Sequence, residues 1–254
     1  MTVRELYAAL CRDYPEALSA PWDHDGVMVA PDLDAPVRHV LCALDVTEAT
    51  VAHAKAIGAD LILSHHPMLF RPVSSVSGDS PTGRKLAELL CAGISVLSFH
   101  TRADAAPGGV NDLLARALGL CEVTGFADGL GRIGSLPAPL TLEDFCAAVR
   151  RALGAPLLLI GNGGRAVSRV AVLGGSGKDE LGAAIAAGAD TYLSGRLSYE
   201  TVNEAADLGI NLIEAGHFYT EAPLPRSWAR TLPERYPGLI ATYYDSCRVC
   251  TDND

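Results

Sequence analysis

The sequence GADLILS at residues 58–64 recurs in the second half of the chain as GADTYLS at residues 188–194. Each copy joins a turn of small residues to an apolar run of strand length. A second echo follows, because AGI at residues 92–94 resembles LGI at residues 208–210. The segment between the echoes is longer in the first half, where SSVSGDSPT at residues 74–82 has the composition of an exposed loop. The pattern predicts a duplicated unit, with a shared bias towards small residues as the alternative.

Around this repeat, short β-rich runs alternate with Ala-rich helical stretches, after an opening segment whose apolar spacing predicts an amphipathic helix over residues 3–10. The alternation is typical of βαβ units and a largely parallel sheet. The predicted strands are residues 39–44, 61–63, 94–98, 169–173, 191–193 and 211–213, and the predicted helices are residues 48–57, 84–91, 178–187 and 199–208.

We therefore predict an α/β fold of two similar small lobes, residues 1–127 and residues 128–254. The junction falls at FADGLG, residues 126–131, whose glycines and aspartate favour a turn. In an alternative arrangement, the C-terminal segment packs back on the first lobe.

Composition narrows the classes of function. The 254-residue chain is 49% hydrophobic and 20% charged, which is the balance of a folded protein. Its net charge of -10 and pI near 5.1 argue against a nucleic-acid partner, because proteins that bind nucleic acids present a basic face. The sequence has no visible secretory signal and no run of the roughly 20 apolar residues that a membrane helix needs. We expect a cytoplasmic protein without a membrane partner.

Three motifs carry less information. The seven cysteines are scattered through apolar runs, which predicts buried free thiols in a reducing compartment. Cys247 and Cys250 form a lone C-x-x-C, for which an incidental pair is favoured over structural zinc. The glycine-rich GGSGKD at residues 174–179 fails the Walker A spacing, so we predict a tight turn, with anion binding as the alternative. No G-x-S-x-G elbow or evident Cys/His pair supports covalent catalysis.

Adjacent histidines, His65 and His66, follow the apolar strand of the first copy, and Pro67 ends that strand. Neighbouring side chains of a strand point in opposite directions, so the two imidazoles suit two different metal ions better than one. Two loop histidines without a ligand are the alternative.

Two further clusters follow predicted strands. His100 and Asp104 come after residues 94–98, and His217 and Glu221 form an H-x-x-x-E after residues 211–213. On a helix, positions i and i+4 share a face, so His217 and Glu221 could bind one metal or bridge two. Each cluster alone fits an ordinary turn or helix surface. Because sites in open α/β sheets gather at the carboxyl ends of strands, the clusters together predict a two-metal site at the interface of the lobes.

These residues resemble the NIF-three-like family, the dinuclear-metal-centre hexameric proteins often called type 2 GTP cyclohydrolase I homologues. PWDHDGV at residues 21–27 is also similar to an early W-D-N-x-G-L segment of that family. The resemblance implies a ring-shaped homohexamer that encloses its metal sites. The metal ligands that it implies are His65, His66, Asp104, His217 and Glu221.

Two departures from the family pattern stand out. His24 replaces a usual Asn, and Arg196 ends an S-G-R where T-G-E is frequent.

The first functional hypothesis is a hydrolase in which two divalent metal ions (Zn, Fe, Mn, Co or Ni) activate water, with His100 beside the metals as a supporting or proton-transfer group. The family label suggests a nucleotide such as GTP as substrate. The alternative is a non-enzymatic, metal-binding hexamer that acts as a scaffold, regulator or metal-handling protein.

Overall fold

A computed structural model of the protein describes residues 1–155 and 159–248. A short 3-10 turn lies at Glu16–Leu18. The helices are α1 (Val3–Asp13), α2 (Glu48–Ala56), α3 (Pro81–Ala92), α4 (Thr101–Ala105), α5 (Val110–Ala117), α6 (Leu142–Leu153), α7 (Leu181–Ala186), α8 (Tyr199–Asp207), α9 (His217–Glu221) and α10 (Pro223–Arg235). The strands are β1 (Gly26–Val29), β2 (His39–Ala43), β3 (Leu61–Ser64), β4 (Ser95–Ser98), β5 (Cys121–Phe126), β6 (Gly131–Leu140), β7 (Leu159–Gly161), β8 (Val167–Ser176), β9 (Thr191–Arg196), β10 (Asn211–Glu214) and β11 (Ile240–Tyr243).

Contacts within the described residues group the chain into two compact units. One unit contains Met1–Ala106 and Leu224–Arg248, and the other contains Pro107–Pro223. The predicted lobes, residues 1–127 and 128–254, divide the chain at a different point. The C-terminal segment belongs to the first unit because β11 pairs in parallel with β2. Helix α5 belongs to the second because its Leu114 packs in the same core cluster as residues of β8.

The sheet of the first unit has the order β1-β4-β3-β2-β11. β2, β3 and β4 are parallel, β11 extends them in parallel, and β1 is antiparallel to β4. Leu41, Ile62 and Val96, one from each central strand, pack with Val51 of α2 and Leu89 of α3. Every residue of β3 and β4 is buried, which explains the uninterrupted apolar runs of these strands.

The sheet of the second unit has the order β5-β6-β8-β9-β10-β7. β8, β9 and β10 are parallel, whereas β5, β6 and β7 pair antiparallel with their neighbours. Val170 and Val172 of β8 pack in one core cluster, and Ala171 and Leu173 pack in another. Because side chains alternate along a strand, the two clusters cover opposite faces of the sheet. The expectation of a largely parallel sheet is thus wrong at the edges, where both sheets are mixed.

The two units repeat the same four-strand pattern, since β1-β4-β3-β2 corresponds to β7-β10-β9-β8. Asp60 and Asp190, which occupy equivalent positions of the two sequence repeats, make equivalent hydrogen bonds at the start of the central strands. Asp60 accepts the backbone N–H of His39 at 2.9 Å, and Asp190 accepts that of Arg169 at 2.8 Å. The prediction of two similar α/β lobes is confirmed.

Some sequence expectations need correction or fall outside the described residues. Cys91 and Cys121 are exposed, so burial of the thiols is wrong at these positions, where the chain runs along α3 and along the edge strand β5. Cys250 lies outside the described residues, so the C-x-x-C with Cys247 stays a prediction. Within residues 1–155 and 159–248, none of the helices combines the length and the apolar character that crossing a bilayer requires.

Candidate metal centre

His65 and His66 directly follow β3, and backbone hydrogen bonds hold them in register with the end of β2 and the residue after it. The N–H of His65 donates to the carbonyl of Ala43 at 3.3 Å, and the N–H of His66 donates to that of Leu44 at 3.0 Å. The ring of His65 is buried, and its Nδ1 lies 2.8 Å from the carbonyl oxygen of Phe99. A carbonyl only accepts hydrogen bonds, so this Nδ1 carries the proton and Nε2 is the atom with a lone pair for a cation.

Asp45 orients the second imidazole. Its Oδ1 lies 2.7 Å from Nδ1 of His66, and its backbone N–H donates to the hydroxyl of Ser246 at 3.1 Å. A carboxylate behind a histidine fixes the tautomer of the ring and raises its basicity, as in carboxylate–histidine–metal arrangements. In His66 too, Nε2 is therefore the nitrogen that carries the lone pair.

His100 follows β4 and has the same kind of support from Asp23. Nδ1 of His100 lies 2.9 Å from Oδ1 of Asp23, whose other oxygen accepts the N–H and the hydroxyl of Thr101 at 3.0 and 2.6 Å. Burial disfavours the charged carboxylate, but the hydrogen bonds from His100 and Thr101 outweigh it and hold the pKa of Asp23 below its ordinary value. Asp23 is therefore a carboxylate that orients His100.

The three imidazoles form what we call the imidazole cluster: His65, His66 and His100. Each offers one ring nitrogen, and these nitrogens lie within 4.8 Å of one another. Asp104, on α4, places its Oδ1 3.5 Å from Nε2 of His65. Imidazole nitrogens with a carboxylate oxygen are the donor set of Zn, Fe, Mn, Co and Ni sites. The residues of the first unit thus fit a divalent metal ion.

The second unit contributes a separate pair on the short helix α9. Nε2 of His217 lies 3.0 Å from Oε2 of Glu221, one helical turn later, and Glu221 is buried. The i, i+4 spacing thus brings the two donor groups together, as the sequence predicts.

Glycines make room for this pair. A Cβ added at Gly175 would collide with Oε1 of Glu221 and lie 3.3 Å from Nε2 of His217. A Cβ at Gly195 would collide with the hydroxyl of Thr220 and lie 2.8 Å from Cα of His217. Gly174 and Gly175 therefore lie at the end of β8, packed closely beside α9, so the predicted tight turn is wrong for residues 174–176. The N–H of Gly175 donates to the hydroxyl of Thr220 at 3.1 Å.

The structure thus brings His65, His66, His100 and Asp104 together in the first unit, and His217 and Glu221 together in the second. The sequence analysis did not identify Asp45 and gave no role to Asp23, although the sequence carries a signal for each residue. Asp45 follows the end of β2, where the same strand-end reasoning applies, and Asp23 lies in the W-D segment.

Two residues depart from the family pattern. His24 is exposed, with its ring 6.2 Å from that of Phe70, and Arg196 is exposed at the end of β9.

The fold and the clusters define an α/β protein of two similar units with an imidazole-rich candidate metal centre. The chain belongs to the DUF34/NIF3 family (NGG1p interacting factor 3), whose family model matches residues 1–245. It is 33% identical over 229 residues to a Clostridium perfringens protein named GTP cyclohydrolase 1 type 2 homolog, covering 87% of each chain. A Streptomyces coelicolor protein of the same name is 34% identical over 243 residues, covering 91% of this chain and 85% of that one.

A solved structure gives the same result. The hypothetical protein SA1388 of Staphylococcus aureus superposes with a TM-score of 0.88 at 26% identity, covering 99% of this chain and 98% of that one. The family resemblance drawn from the sequence motifs is confirmed.

Proposed function

We propose that His65, His66, Asp104, His217 and Glu221 jointly hold two divalent metal ions and that the protein is a metal-dependent hydrolase. The observation that carries the proposal is the imidazole cluster, in which Nδ1 of His65 and of His66 each faces an oxygen acceptor, so that Nε2 is the nitrogen of each ring that can donate to a metal ion. Gly175 at the end of β8 supports it, because the absence of a side chain there keeps space for His217 and Glu221.

Bound divalent ions would supply a water of lowered pKa and a Lewis acid for the substrate. The residues of the chain have their own tasks in this scheme. Asp45 holds the His66 ring in one orientation through its hydrogen bond to Nδ1. His100 can take up a proton on Nε2, because Asp23 stabilises the resulting imidazolium through Nδ1. His100 is therefore the proton-transfer group of the proposal.

The substrate class comes from the relatives. Their shared name, GTP cyclohydrolase 1 type 2 homolog, suggests hydrolytic opening of a ring such as that of a purine nucleotide. Cyclic amides and phosphoesters are further substrates that a two-metal centre can hydrolyse.

The test is a turnover screen of metal-loaded protein against GTP, phosphoesters and cyclic amides. We expect hydrolysis of at least one class by the native protein and its loss in His66→Ala. The matched control is His53→Ala, because His53 stacks on Tyr244 with ring centroids 4.6 Å apart and lies outside the imidazole cluster. Full metal occupancy without any turnover would contradict the hydrolase and favour a metal-binding scaffold, regulator or metal-handling protein.

A further inference from the structure

Exposed aromatic rings border the imidazole cluster on one side. The indole of Trp22 is 60% exposed and the ring of Phe70 is 42% exposed. Both contact His100 edge to face, with ring centroids 6.3 and 6.4 Å from the imidazole. The two rings also contact each other at 6.3 Å, and His24 lies beside Phe70. We call Trp22, His24 and Phe70 the aromatic rim.

The rim is held in place by the backbone on each side. Asp23, next to Trp22, binds His100 and Thr101, and the N–H of Ala20 donates to the Thr101 hydroxyl at 2.9 Å. Met68 and Leu69, directly before Phe70, pack against the core of the first unit. Preorganised groups lose little entropy when a ligand binds. The chain on both sides of the exposed rings is thus anchored to the first unit.

The geometry leaves ring faces available. The planes of Trp22 and Phe70 are inclined by 64°, and each is steeply inclined to the imidazole of His100, by 76° and 88°. Edge-to-face contacts occupy only part of each ring, which agrees with the high exposure of Trp22 and Phe70. Large exposed aromatic side chains beside a polar cluster mark a binding site more often than ordinary surface.

We infer that the aromatic rim binds a planar heteroaromatic ring of the substrate, stacked on Trp22 and Phe70 with its edge towards the imidazole cluster. The inference rests on the proposed hydrolytic function and adds the subsite that would recognise the ring of the substrate. Stacking suits a flat ring with a π-face, whereas a phosphate group has no such face to lay on the two rings. The rim therefore selects ring-bearing substrates, and the cluster acts on the group that the ring carries.

The test measures binding by calorimetry and by tryptophan fluorescence on zinc-loaded protein. The probes are guanosine and adenosine, with ribose as the ligand that lacks the flat ring. The chain has two tryptophans, and Trp228 is only 3% exposed, so quenching by a stacked base reports on Trp22. We expect both nucleosides to bind and to quench the emission, and ribose to do neither.

Variants then assign the binding to the rim. Trp22→Leu and Phe70→Leu should each weaken nucleoside binding at least about fivefold, the lower end of base-stacking energies. Trp22→Phe, which keeps an aromatic ring, should retain most of the affinity. The control is Tyr199→Leu, an exposed aromatic on α8 at 77% exposure, which should bind as the native protein does.

Two results would overturn the inference: absence of nucleoside binding, and unchanged affinity in Trp22→Leu and Phe70→Leu. In the second case, a changed sedimentation coefficient of these variants would mean that a second copy of the chain covers the rim. Failure of the proposed hydrolysis is a separate result, because nucleoside binding that depends on the rim can be present in a protein without turnover.

Discussion

The protonated nitrogen of each imidazole in the centre follows from the oxygen atom that its Nδ1 faces. His65 faces a backbone carbonyl, His66 faces Asp45, and His100 faces Asp23. All three acceptors make Nε2 the nitrogen with the lone pair, which the proposed function assigns to a metal ion in His65 and His66 and to a proton in His100. Asp45 and Asp23 are therefore positioning residues: Asp45 orients His66, and Asp23 orients His100.

Asp45→Asn tests this positioning role. The amide is a weaker acceptor for Nδ1 of His66 than a carboxylate, and we expect a metal affinity about 10- to 100-fold lower. The affinity is measured by competition with a chromophoric chelator. Asp34→Asn is the control, because Asp34 pairs with Arg4 on the surface. Equal affinities in the two variants would show that Asp45 does not support a ligand.

Gly175→Ala tests the space beside His217 and Glu221. The new Cβ would collide with Glu221, and the φ of Gly175 is +65°, which strains an alanine. Gly164→Ala is the matched control, because its φ is +75° and no atom lies within 4 Å of the added Cβ. We expect Gly164→Ala to lose about 1 kcal/mol of stability in urea unfolding from the φ strain, and Gly175→Ala to lose a further ~1–3 kcal/mol from the steric clash. Only Gly175→Ala should lose metal content in elemental analysis, and equal metal content in both would refute the role assigned to the glycine.

At this scale the sequence indicates ligand types but not their supports. The sequence predicts that His65, His66 and Asp104 belong to one site and that His217 and Glu221 lie together. These predictions are possible because strand ends and helical spacing are local patterns. Asp45 and His66 are 21 residues apart, and Asp23 and His100 are 77 apart. Such hydrogen bonds depend on strand order, which a single sequence does not specify.

At the scale of elements, the central strands were predictable and the edges were not. β3 and β9 are buried apolar runs bounded by small turns, which gives a strong local signal. β5 is exposed at all positions but its last, and β6 contains Pro137 and Pro139, which argue against a strand. Their pairing with each other and with β8 stabilises them as strands, and that pairing is a tertiary effect.

A buried ion pair fastens α4 to β1. Arg102 is 1% exposed, and its Nε donates to Asp25, which precedes β1, at 2.9 Å. Its guanidinium also donates to the carbonyl of Tyr14 at 3.3 Å and lies 4.4 Å from the ring centroid of Phe99. This residue ties the start of α4, and hence Asp104, to the rest of the first unit.

Arg102→Ala should therefore destabilise the protein by about 3–5 kcal/mol, because it leaves the Asp25 carboxylate buried without its partner. Arg4→Ala removes an exposed ion pair and should cost no more than about 1 kcal/mol. Urea unfolding measures both values. A loss below about 1 kcal/mol in Arg102→Ala would contradict the role of this pair as an anchor.

At the scale of the whole molecule, the duplication explains why strand-end clusters occur in both halves. The equivalent strands β4 and β10 are each followed by a five-residue helix, and α4 carries Asp104 whereas α9 carries His217 and Glu221. The return of the C-terminal segment to the first unit was foreseen only as an alternative. It matters for the centre, because Ser246 of that segment binds Asp45.

The assembly is a further prediction at this scale. By its family resemblance we propose that the protein forms a homohexamer, and sedimentation velocity at micromolar concentration should give the mass of six chains. The metal-binding variant His66→Ala should keep that mass if assembly does not depend on the metal ions. A native protein that sediments as a monomer would contradict the proposal.

Elemental analysis of natively purified protein measures the occupancy of the proposed metal centre. Five donor residues holding a pair of cations predict close to two divalent metal ions per chain, with a clear decrease in Glu221→Ala. A metal content near zero in the native protein, unchanged by that substitution, would contradict the metal centre and the function proposed for it.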